Sequence, residues 1–143
     1  MSFYSTAGAV SWVNAKPVFV DVGLKDHNID VSKIEKAVSR KTKAIIAVHL
    51  NGRMADMDEI LKIAENKSLK VIVDASHAIG SRYKDKPVGN FGDLICLSFN
   101  PTKTFGGCGD GGAILTGDAE LAQKISQLRI YGAPRWTEMH HNN

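Results

Sequence analysis

Three short apolar runs limit what this chain can become: Ala44-Ile45-Ile46-Ala47-Val48, Leu69-Lys70-Val71-Ile72-Val73 and Leu94-Ile95-Cys96-Leu97. Each is shorter than a typical helix and nearly continuous rather than alternating, which is how buried strands read. A fourth run, Ala113-Ile114-Leu115, reads the same way. Between the first two lies a segment of helical period, with Met57, Ile60, Leu61 and Ala64 on one face and Asp56 placed to cap it. Asp30 stands in the same position ahead of Val31, Ile34, Ala37 and Val38, and a last helix runs from about Asp118 to Arg129. That helix is expected to carry Leu121, Ala122, Ile125 and Leu128 inward. Pro17-Val18-Phe19-Val20-Asp21-Val22 reads as a strand, because β-branched and aromatic residues dominate it. A short opening helix places Trp12 in the core. The segment from Ala75 to about Phe91 is expected to be a loop, with turn signals at Gly80, Asp85 and Gly89-Asn90. Strands alternating with amphipathic helices predict an α/β fold, a mostly parallel sheet flanked by helices.

Composition narrows the function classes. At 143 residues the chain is long enough for one domain, and its apolar and charged contents are those of a globular protein. A net charge of +3, with no Lys/Arg-rich run beyond Arg40, Lys41 and Lys43, gives no argument for nucleic acid. No apolar stretch reaches bilayer-spanning length. Two cysteines twelve positions apart, Cys96 and Cys108, fit reduced thiols and a cytoplasmic setting. Both ends read as cut from a longer chain, since neither opens nor closes on a complete element.

Ligands of open parallel sheets gather outside the carboxyl ends of the strands. His49, Asp74, His77 and Ser98 all fall at or just past predicted strand ends. Beyond Ser98 comes a turn-rich loop, Asn100-Pro101-Thr102-Lys103-Thr104-Phe105-Gly106, and then Gly107-Cys108-Gly109-Asp110-Gly111-Gly112. A lysine between two buried strands is a costly charge, and the cost falls if its amine is converted to a Schiff base. The second stretch spells G-x-G-x-x-G, yet a strand follows it where a dinucleotide fingerprint needs a helix, and no acidic residue stands at 125–130. A tight turn between strands accounts for these glycines. His140 and His141 have no ligand-type neighbour at metal-binding spacing, and no metal is expected. Asp74 alone reads as a turn or capping residue, and His77 alone as a loop histidine. Their combination with Ser98 and Lys103 points instead to one site.

The ordered blocks Asp74-Ala75-Ser76-His77-Ala78-Ile79-Gly80, Phe91-Gly92-Asp93, Ser98-Phe99-Asn100-Pro101-Thr102-Lys103 and Gly109-Asp110-Gly111-Gly112 closely resemble the DegT/DnrJ/EryC1/StrS family. Ala15 to Val22 and Val48-His49-Leu50-Asn51-Gly52 resemble further blocks of it, so the likeness runs through essentially the whole chain. The family consists of pyridoxal-phosphate-dependent sugar aminotransferases with the aspartate aminotransferase (fold type I) architecture. The resemblance implies that residues 1–143 are part of the large cofactor-binding domain, without its N-terminal segment or the C-terminal small domain.

The same resemblance implies roles. Lys103 matches the lysine that forms the internal aldimine, and Asp74 the acid that pairs with the pyridine nitrogen. His77 stands where the family has Gln or His near the phenolic oxygen, Ser98 matches a phosphate-binding serine, and Phe3 lines up with the aromatic that stacks on the ring. The implied reaction takes an amino group from a donor such as L-glutamate, stores it as pyridoxamine phosphate and passes it to a keto sugar, nucleotide-linked, in a homodimer. Departures are Phe105 in place of Leu or Met, read as a core swap, and Asn51 in place of an aromatic. Lys103 itself argues against the family's dehydratase branch, which carries His there. Two alternatives stand beside this reading: a non-catalytic fragment or binding remnant, and a cyclitol aminotransferase.

Overall fold

The computed structural model describes residues 2–132. Its centre is a four-stranded sheet of β1 (Ala44–Val48), β2 (Lys70–Asp74), β5 (Leu94–Ser98) and β6 (Gly112–Leu115), in that spatial order. β1, β2 and β5 run parallel, with Val48 beside Asp74 and Asp74 beside Cys96. β6 returns antiparallel, pairing Ser98 with Gly112. The carboxyl ends of the three parallel strands and the start of β6 therefore share one rim.

The core lies on one face of this sheet. Ile45 and Ala47 of β1, Val71 and Val73 of β2 and Ile95 of β5 alternate inward. They meet Met57, Ile60, Ile63 and Ala64 of α3 (Met57–Asn66), with α2 (Val31–Ala37) beside it contributing Ile34. Burying a side chain such as Ile60 contributes about 1.5–3 kcal/mol, and these positions set most of the sheet–helix adhesion. The helix starts follow their caps: Asp30 accepts from Ser32 N–H at 3.1 Å, and Asp118 accepts from Glu120 and Leu121 N–H at 2.9 and 3.1 Å ahead of α4 (Ala119–Leu128). Asp93 fixes the register of β5 on β2, since its Oδ2 accepts from Val71 N–H at 2.8 Å and its Oδ1 from Lys70 Nζ at 2.7 Å.

Several expectations need correction. Pro17 to Val22 is not a sheet strand; its only ladder contact among the described residues is a single antiparallel bridge from Val22 to Ile29. Its β-rich composition has no neighbouring strand here to pair with. The loop from 75 to 91 contains a small hairpin, β3 (Arg82–Tyr83) and β4 (Lys86–Pro87), turned by Lys84 and Asp85 at positive φ. Tyr83 packs edge-on to Phe91 beneath it. β6 is not buried, because Ile114 and Leu115 lie on the outermost strand of the described sheet and are 47% and 40% exposed. The inward face expected for α4 is only partly covered: Leu121 and Ile125 are half-buried, whereas Ala122 and Leu128 are exposed. Trp12 is 91% exposed on α1 (Tyr4–Trp12), a helix that buries none of its side chains among the described residues. Phe105 is exposed as well, and touches Phe99 edge-on rather than entering a core. No described helix is long and apolar enough to cross a membrane. His140 and His141 lie outside the described residues.

Candidate active site

The rim holds a cleft of about 420 Å³ lined by residues from four places in the chain. Phe3 and Ser5 come from the start of α1, Val48 and His49 from the end of β1, and Asp74, Ser76 and His77 from the end of β2. Ser98, Asn100, Thr102, Lys103, Asp110 and Gly111 come from the β5–β6 connection. All five residues singled out in the sequence, Phe3, Asp74, His77, Ser98 and Lys103, are therefore neighbours in space. A second depression of about 410 Å³, between Phe19 and Lys36, is a shallow groove beside the Lys33–Asp21 ion pair and gathers no comparable set of groups.

Lys103 is placed by its loop. Asn100 Oδ1 accepts from Thr102 N–H at 3.0 Å and from Thr102 Oγ1 at 2.6 Å, while Asn100 Nδ2 donates to Asp110 Oδ1 at 2.5 Å. Lys103 N–H closes the turn on the Asn100 carbonyl at 2.9 Å. Gly106 completes it, because a Cβ there would lie 2.6 Å from the Pro101 carbonyl oxygen. The lysine is half-buried at the cleft rather than enclosed between strands. Its Nζ lies 2.9 Å from His77 Nε2.

Asp74 is the most heavily bonded of the acids at the rim. Its Oδ1 accepts from Ser76 N–H at 3.1 Å and Ser76 Oγ at 2.6 Å, and its Oδ2 accepts from Thr6 Oγ1 at 2.7 Å. Ser98 Oγ accepts from Asn100 N–H at 3.3 Å, which leaves its own proton to give. The Cys96 thiol, beside Asp74 in the sheet, is pushed up in pKa by burial and by the Asp74 charge.

His49 is fully buried at the floor. Burial holds its imidazole down to about pKa 4, against the partial opposition of the Asp74 charge. Its Nδ1 accepts from Ala55 N–H at 3.2 Å, so the neutral ring carries its proton on Nε2, and that buried N–H has no protein partner. Gly52, at φ +78°, allows the turn after His49 to pass close to the chain at His77, whose carbonyl oxygen would lie 3.2 Å from an added Cβ.

The sequence reading missed Thr6 and Ser76. Ser76 carried a signal, since a serine two residues after an aspartate is the spacing of a local side-chain turn. Thr6 carried none, because its partner is 68 positions away.

An amine, a carboxylate with unfilled acceptor capacity, a free hydroxyl proton and a flat ring at the cleft edge suit a phosphorylated pyridine aldehyde. The amine suits the carbonyl, the carboxylate the ring nitrogen, and the hydroxyl the phosphate.

Comparison with known proteins gives the same direction. The family model of the DegT/DnrJ/EryC1/StrS aminotransferase family matches residues 1–143. A pleiotropic regulatory protein of Geobacillus stearothermophilus is 50% identical over 92% of this chain and 36% of its own length. A UDP-N-acetyl-3-dehydro-alpha-D-glucosamine 3-aminotransferase of Acidithiobacillus ferrooxidans is 45% identical over 99% of this chain and 38% of its own. The crystal structure of NtdA from Bacillus subtilis, with bound cofactor PMP, is 44% identical with a TM-score of 0.83, over 88% of this chain and 28% of that one. The chain thus spans little more than a third of the length of the curated relatives it matches.

Proposed function

The chain belongs to the DegT/DnrJ/EryC1/StrS aminotransferase family, and on that premise we propose that it is part of the cofactor-binding large domain of a pyridoxal-phosphate-dependent sugar aminotransferase. The protein takes an amino group from an amino acid donor, L-glutamate, and delivers it to a keto sugar carried on a nucleotide. The observation that supports this reading most strongly is the convergence of Lys103 Nζ, the Asp74 carboxylate, His77 and Ser98 on one cleft.

Bound pyridoxal phosphate supplies an electron sink for the charge left when a proton departs from the carbon beside the substrate nitrogen. The chain's own residues do the rest. Lys103 would anchor the cofactor, and its amine is placed to act as the base that lifts that proton and the acid that returns it. Asp74 would pair with the ring nitrogen and hold a proton there. Ser98 would donate to the phosphate, and His77 would stand by the phenolic oxygen. Phe3 offers a face for stacking, worth about 0.5–1.5 kcal/mol beyond burial. The working unit is a homodimer in the cytoplasm, acting on small molecules rather than on nucleic acid or membrane.

The test is an absorption spectrum of the full-length protein with pyridoxal phosphate, before and after L-glutamate. A visible band that bleaches on adding glutamate is expected. A full-length protein that gives no band would overturn the assignment; where the band appears and bleaches, a screen of keto-sugar and keto-cyclitol acceptors identifies the substrate class.

A further inference from the structure

Thr6 is not among the residues singled out by sequence, yet it makes the longest-range side-chain hydrogen bond at the cleft. It stands on the first turn of α1, and its hydroxyl donates to Asp74 Oδ2 at 2.7 Å across 68 positions of sequence. Ser2 Oγ donates in turn to Thr6 Oγ1 at 2.6 Å. The Thr6 oxygen is thereby used as an acceptor, which commits its single proton to the carboxylate.

The acceptor count on Asp74 gives this contact a consequence. A carboxylate offers about four lone-pair sites, two on each oxygen. Ser76 fills Oδ1 with its N–H and its hydroxyl, and Thr6 fills one site on Oδ2. The site left for another donor is therefore on Oδ2, the oxygen that Thr6 holds. α1 has no fully buried side chain among the described residues, with Thr6, Ala7 and Val10 half-buried, so packing alone holds it only loosely on the sheet. The Thr6–Asp74 bond ties it there, and the same turn begins with Phe3, the helix N-cap at the cleft edge.

We propose that Thr6 is a positioning residue for Asp74. By holding Oδ2, it turns the remaining lone pair of that oxygen toward the nitrogen of a bound pyridine ring, and it brings Phe3 into register with the carboxylate. Removing the hydroxyl leaves Asp74 held by Ser76 at Oδ1 alone, so the direction of Oδ2 is less closely fixed. This inference rests on the function proposed above, and it differs from a purely anchoring role for Thr6, in which the hydroxyl would only fasten α1.

Two ligands separate these roles in the full-length protein: pyridoxal phosphate, and its analogue in which a C–H group replaces the ring nitrogen. Thr6→Val keeps the shape of the side chain and removes the donor. The variant is expected to bind pyridoxal phosphate about tenfold more weakly, as fits loss of a hydrogen bond to a charged group, and the analogue within about twofold of wild type. Thr6→Ser is expected to restore the cofactor affinity to within about twofold, because it restores the donor. Equal weakening for both ligands, or no weakening for either, would overturn the proposal. Failure of the wild-type protein to bind pyridoxal phosphate at all would instead overturn the function it rests on. Should Thr6→Val not fold, Thr6→Ala takes its place in the same comparison.

Discussion

Lys103 Nζ and His77 Nε2 lie 2.9 Å apart, joining the loop after β5 to the loop after β2 across the cleft. A lysine ammonium has donors and no acceptor, so in that form it donates, and His77 accepts with its ring proton on Nδ1. His77→Gln keeps an acceptor at similar reach, whereas His77→Leu leaves the amine without one. Transaminase turnover in the full-length protein is expected to stay within about tenfold of wild type for His77→Gln and to fall about 100-fold or more for His77→Leu. Equal rates in the two variants would show that the contact does not matter to the reaction.

Lys103→Ala removes the amine from a half-buried position whose side chain holds no part of the core. Turnover should fall at least about 1,000-fold, since anchor and base are lost together. The thermal midpoint should move little. Retained turnover would refute the role given to Lys103.

Asp74→Asn preserves shape but substitutes an amide donor for one acceptor oxygen. Thr6 and Ser76 both donate to the carboxylate, so one hydroxyl must turn round to accept. The half-reaction rate, followed by the bleaching of the cofactor band in a single turnover, should drop about 100-fold, while cofactor affinity changes about tenfold or less. An unchanged single-turnover rate would remove Asp74 from the mechanism.

His49 makes acid stability testable. Its folded pKa is about 4, against an ordinary value of 6.5, because burial disfavours the charged ring. The unfolded chain therefore takes up a proton that the folded chain refuses over that interval. The His49 contribution is fully present above pH 6.5 and is lost as pH falls toward 4. It amounts to about 3 kcal/mol in unfolding free energy. Urea unfolding of wild type should lose this much more than His49→Asn over the same range, and parallel pH profiles would contradict the assignment of a buried neutral ring.

Gly106→Ala tests the lysine turn. The new Cβ would come within 2.6 to 3.0 Å of three backbone atoms of Pro101, none of which can move aside alone. A cost of about 1–3 kcal/mol is expected, with weakened cofactor binding because the displaced segment carries Lys103. A variant with wild-type stability and affinity would show that the turn is more pliable than its geometry implies.

The sequence by itself determined the elements that depend on neighbours in the chain. Short continuous apolar runs gave β1, β2 and β5, helical periods behind Asp30 and Asp56 gave α2 and α3, and the residues at the strand ends marked the rim. It also marked Lys103, Asp74, His77, Ser98 and Phe3, because their order and spacing carry the family resemblance. The tertiary structure decided what composition leaves open. Val18, Phe19 and Val20 have strand-like side chains but no partner strand in the described sheet, and Trp12 and Phe105 are apolar but reach no core among the described residues. Propensity reports what a segment can do, whereas burial depends on which other surface arrives against it. The Thr6–Asp74 hydrogen bond lies at the far end of the same distinction. It joins a surface helix to a strand end 68 residues later, and no local periodicity encodes such a meeting. Only packing the chain into three dimensions brings that hydroxyl to that carboxylate.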